Sequence, residues 1–142
     1  MSKLLRPEDL KKISDDADLA KAKEYMAREK KKAEEEQHLR EAFMGRSIHP
    51  EVAERVSAAV KRAAEQGLRE LQVVSFPATY TNDGGRRINN FEDDWPGSLQ
   101  GFAKLAYDYY DKELKPLGYK LNVRILDYPG GMPGNIGMFL KW

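Results

Sequence analysis

The sequence of 142 residues carries 24 basic and 23 acidic residues for a formal net charge of +1, and 33% of it is charged, where an ordinary globular chain has roughly 25%. It has no cysteine, which excludes disulfides, thiolate nucleophiles and cysteine-ligated metal sites, and its balanced charge gives no reason to expect nucleic acid as a partner. No window is apolar enough to span a membrane, and Met1 to Leu10 lack the apolar run of a secretory signal, so a cytoplasmic protein with no membrane contact is expected.

Residues 8–43 are a helix-favouring stretch: after Pro7 there is no proline or glycine until Gly45, and the composition is Ala, Glu, Lys, Leu, Arg and Met. Pro7 suits the first turn of a helix, while Ser14 offers a competing start, so the stretch reads as one helix or two in series. Its apolar pattern is thin. Leu10, Ile13, Ala17 and Ala20 lie on one face, and Leu19, Ala22, Met26 and Ala33 on another. Residues 1–45 hold 11 basic and 11 acidic residues, and Lys30–Glu34, Lys31–Glu35 and Lys32–Glu36 are spaced for weak i, i+4 pairing. A helix of this kind is marginal alone: either it is a solvated spacer or surface helix, or its apolar rows lean on a protein partner or a second copy. The expected division is a charged helical arm over 1–46 and a compact α+β domain over 47–142.

Gly45 to Pro50 reads as a break, with Ser47 or His49 capping a new helix. Val52, Val56, Ala59, Val60 and Ala63 then form an amphipathic face ending at Gly67. Arg69 to Phe76 reads as a strand, apolar on both faces through Leu71, Val73, Val74 and Phe76, which predicts a central position. A polar connection runs from Ala78 to about Gly97, too long for an unstructured loop in a small domain, and its Tyr80, Ile88, Phe91 and Trp95 should pack on the domain. Ser98 is expected to cap a third helix, to about Leu114. Tyr119 to Tyr128 alternates as a half-exposed strand, and Asn135 to Trp142 forms the last strand, joined by the Gly- and Pro-rich turn 129–134 in an antiparallel hairpin. Strand, helix, strand, then hairpin predicts a small mixed three-stranded sheet covered by helices, with a parallel pair across the crossover.

Candidate chemistry concentrates in the 79–97 loop. Asn82 and Asp83 before two glycines suit a turn that presents backbone N–H groups to an anion, and Arg86 and Arg87 could hold a carboxylate or phosphate. With Asn90, Asp94 and Trp95 they form the candidate ligand- or partner-binding set. The bland alternative pairs the arginines with Glu92, Asp93 and Asp94 of the same loop. Neither named phosphate-loop spacing is present, the acidic run lacks EF-hand spacing, and His38 and His49 have no partner placed by sequence. No catalytic residue, metal site or cofactor is therefore assigned. The leading reading is a non-enzymatic protein-interaction or oligomerisation module using the arm. The alternatives are a small-ligand binder or enzyme with a site between the 79–97 loop and the 129–134 turn and, more weakly, nucleic-acid binding through Arg86, Arg87, Arg124 and Lys120.

Overall fold

The computed structural model describes residues 4–142; the first three residues of the expected arm lie outside the described residues. The described residues form four α-helices, α1 (Pro7–Gly45), α2 (Val52–Glu65), α3 (Arg86–Asn89) and α4 (Gly101–Tyr109), and three strands, β1 (Glu70–Pro77), β2 (Lys120–Ile125) and β3 (Asn135–Lys141). The fold class is α+β. The chain divides into two compact units, residues 1–41 and 42–142, so the division falls a few residues before the glycine break.

The first unit holds most of α1, which is one uninterrupted helix of 39 residues. Pro7 occupies its first turn, and Asp9 accepts a hydrogen bond from the Arg6 N–H at 3.2 Å, a local cap. Ser14 starts nothing new. No residue of α1 is buried, and Leu10, Ile13, Leu19, Tyr25, Met26 and Leu39 are all exposed.

In the second unit the sheet order is β1-β3-β2, and both ladders are antiparallel. The expected C-terminal hairpin is present. The expected adjacent parallel pair is not: β1 and β2 run in the same direction, but β3 inserts between them. The last strand thus takes the centre and is buried on both faces from Ile136 to Leu140. β1, expected to be central, is an edge strand. Its apolar run misled because of a bulge between Gln72 and Val74, which shifts the register and leaves Val73 40% exposed. With that extra residue looped out, Leu71 and Val74 both reach the inner face.

Three tiers of side chains cross the inner face. Leu71, Leu140 and Leu121 make the first; Val74, Met138 and Val123 the second; Phe76, Ile136 and Ile125 the third. Ile136, Met138 and Leu140 are essentially inaccessible to solvent, and burying a side chain of that size stabilises by about 1.5–3 kcal/mol. Residues from α4, with Ala78 and Ile88, cover the upper tiers, while Val60 of α2 and Leu114 close over Leu140. α2 starts later than expected: neither Ser47 nor His49 caps it, Glu51 stands at its N-cap without a side-chain cap, and His49 Nδ1, which accepts the Glu51 N–H at 3.0 Å, instead closes the turn that precedes the helix. Ser98, expected to cap α4, does not. It is fully buried in a preceding 3₁₀ turn (Trp95–Ser98), its hydroxyl donating to the Trp95 carbonyl, and Gln100 stands at the helix start.

Candidate functional site

The connection from Ala78 to Ser98 is ordered throughout: a 3₁₀ turn (Ala78–Tyr80), the short helix α3 and the 3₁₀ turn ending at Ser98. Its hub is Thr81, buried beneath the turn. The hydroxyl accepts the Gly85 N–H at 2.7 Å, and its single proton is shared between the Ala78 carbonyl at 2.8 Å and Asp83 Oδ1 at 3.2 Å. Asp83 caps α3, with Oδ1 accepting the Gly85 N–H at 3.0 Å and Oδ2 the Arg87 N–H at 3.1 Å. The paired glycines are required here. Gly85 sits at φ +85°, and a Cβ there would lie 3.0 Å from Ala78 Cβ.

The backbone N–H groups expected to face an anion are therefore occupied by Asp83. Burial is the largest influence on that carboxyl and would raise its pKa. The hydrogen bonds from Arg87, Thr81 and Gly85, with the Arg87 charge, outweigh it and hold the group below the usual carboxylate value.

The rest of the candidate set is also engaged within the chain. Arg86 pairs with Glu92 at 2.9 Å, and Arg87 lies between Asp83 at 3.6 Å and Asp94 at 3.7 Å. The Asn82 side chain donates to the Gly97 carbonyl at 3.0 Å, and the Asn90 N–H closes α3 on the Arg86 carbonyl. Trp95 packs edge-on against Tyr107 with ring centroids 5.4 Å apart. The set is brought together in space, and its polar groups mainly build the loop. Of the four large apolar residues expected to pack, Ile88, Tyr80 and Trp95 do so, whereas Phe91 is 84% exposed at φ +55°. Tyr128, the residue before the Gly-rich turn, reaches the loop: its hydroxyl donates to Asn89 Oδ1 at 2.6 Å.

On the outer sheet face, Arg124 stacks on Phe139 at 3.6 Å and pairs with Glu70 at 3.1 Å. The Arg124 hydrogen bond is the largest influence on the Glu70 carboxyl and lowers its pKa; burial, the next largest, opposes it, and the Arg124 and Lys141 charges add to the lowering. Arg124, one of the cations considered for nucleic acid, is thus occupied by a carboxylate and a ring. Among the described residues no group of three or more acidic or histidine side chains could hold a metal ion, and no helix is long and apolar enough to cross a membrane.

Sequence reasoning passed over an apolar cleft of about 110 Å³ between α2, α4 and the inner sheet face. Val52 and Val56 form one wall, Ala106 and Tyr110 another, and Val74 and Met138 the floor. The α2 stripe had the right period for a core face, but small valines leave the cleft unfilled. Val56→Leu adds a methylene at this wall and a better helix former. It is expected to raise stability by about 0.5–1 kcal/mol, seen as a higher thermal midpoint. A lowered midpoint would mean that the wall has no room.

No family model matches the chain, and neither the curated proteins nor the solved structures contain a significant match to it.

Proposed function

We propose that the protein is a non-enzymatic interaction module in which α1 is the contact element and a second copy of the chain is the partner. One observation carries this reading: a 39-residue helix with no buried residue, whose Leu10, Ile13, Leu19, Met26 and Leu39 side chains lie exposed among closely balanced charges. A helix this polar gains little from propensity and i, i+4 pairs, and in proteins most helical stability comes from packing an apolar face. The folded domain of residues 42–142 would then serve as the body that the association brings together.

Amide hydrogen exchange on the full chain tests this. Exchange between Leu10 and Ala27 should slow as protein concentration rises from micromolar to millimolar, while the β3 amides stay unchanged. Fast exchange in α1 that is independent of concentration would contradict the reading.

A small-ligand site between the 79–97 loop and the 129–134 turn is the second reading. The Tyr128–Asn89 hydrogen bond favours it by bringing those segments together. Against it stands the engagement of Asp83, Arg86 and Arg87 with one another and with Glu92 and Asp94.

A further inference from the structure

We infer that α1 pairs with α1 of a second copy as an antiparallel two-helix coiled coil centred between Asp18 and Leu19, an inference that rests on self-association through α1. Along the helix Leu10, Ile13, Ala17, Ala20 and Ala27 recur at alternating steps of three and four, interrupted once by Glu24. That is a heptad seam of about three repeats. Leu19, Met26 and Ala33 make a second row on the opposite side, roughly 150° away at 100° per residue. Because the two rows oppose each other, the helix as a whole has no single apolar face. The first row is the denser, and its Leu10 and Ile13 are both about half exposed.

Charge then selects both partner and direction. In a parallel, in-register pair Glu24 would face the partner's Glu24 inside the seam. On the flank, Lys23 would meet the partner's Arg28, a second like-charge contact. Reversing one helix removes both. The seam layers become Leu10 on the partner's Ala27, Ala17 on the partner's Ala20, and Ile13 on the partner's Glu24. In the last layer the glutamate methylenes cover the isoleucine while the carboxylate reaches water. The flanks become Asp9 beside the partner's Lys30 and Asp16 beside the partner's Lys23, each formed twice by two-fold symmetry. Ser14 faces the partner's Lys21, so no like charges meet along the flanks. The antiparallel register follows from the order of charges along α1: residues 8–18 are mainly acidic and residues 21–32 mainly basic.

The test measures the dimerisation constant of the full chain and its charge-reversal variants by sedimentation equilibrium. Lys23→Asp and Asp16→Lys should each weaken the dimer about fivefold, since each turns two attractive flank pairs into repulsive ones. The double variant Asp16→Lys/Lys23→Asp should return to within about twofold of the native value. In a parallel pair Lys23→Asp would instead strengthen association by facing Arg28. Strengthening by Lys23→Asp, or a double variant no tighter than the singles, overturns the antiparallel register while leaving self-association standing. A native chain that stays monomeric overturns self-association itself. Cysteines give a second readout in this cysteine-free sequence. An oxidised mixture of Leu10→Cys and Ala27→Cys chains should yield the mixed disulfide in preference to either like pair, and the reverse preference overturns the register.

Discussion

Phe43→Ala is expected to lower the stability of the domain by about 3 kcal/mol, although Phe43 belongs to the last turn of α1 and precedes the glycine break in the sequence. Its ring packs among those of Phe76, Tyr80 and Phe102, with centroids 5.4, 5.0 and 6.0 Å away. Truncation would leave three aromatic neighbours facing a void, and the part-buried position keeps the cost toward the low end of the range for Phe→Ala. The next residue fixes the same junction from the backbone side. A Cβ on Gly101 would lie 2.7 Å from Met44 Cα, so the chain passes Gly101 at a separation only glycine permits. Leu39→Ala is the control: its side chain is 67% exposed, and its loss should cost less than about 0.5 kcal/mol in chemical denaturation. Equal effects of the two substitutions would remove Phe43 from the domain core.

Asp83→Ala is expected to cost about 2–3 kcal/mol at neutral pH. It deletes a cap carrying two backbone N–H bonds and the Thr81 contact, and leaves Arg87 without its nearer carboxylate. The pH dependence has a definite sign. The folded-state pKa of Asp83 lies below the unfolded value, so the ionised group stabilises the fold above the unfolded pKa of about 4. That contribution is lost as pH falls through the folded value. The gap in thermal midpoint between the native chain and Asp83→Asn should therefore be widest near neutrality and shrink on acidification below about pH 4. A gap that widens on acidification would reverse the sign and with it the capping role.

Phe43 and Asp83 both lie where sequence and structure part company. The α+β class, the helix over Val52–Glu65, the hairpin and the helical arm were legible because period and turn residues agree along those stretches. Lys120 to Ile125 alternates cleanly, and its apolar residues are the ones that face the core. The central strand was misplaced for a local reason: Val73 belongs to a bulge, and one inserted residue makes an edge strand look apolar on both sides. The order β1-β3-β2 could not be read locally either, since nothing in Asn135–Lys141 states which neighbours it will pair with. Phe43 was read as the end of an arm because helix periodicity runs through it, while its partners Phe76 and Phe102 lie far along the chain.

The candidate loop was legible as an unusual segment and as a group of residues that meet. What the sequence left open was their partners. Asp83 caps its own helix, and Arg86 and Arg87 take carboxylates of the same loop, the bland pairing that the acidic run Glu92–Asp94 suggested from the start. Thr81 was passed over because a single threonine gives no pattern; its role arises only when the chain folds back to place Gly85 over its hydroxyl. The cleft beside α2 was invisible for another reason, since periodicity reports which side of a helix is apolar and not whether its side chains are large enough to fill the space they face.

Self-association of the chain through α1 is tested most directly by sedimentation equilibrium of the unmodified full chain, from micromolar to millimolar concentration. The weight-average mass should rise from the 16.2 kDa of one chain toward that of two. A mass that stays at 16.2 kDa across the whole range would contradict it.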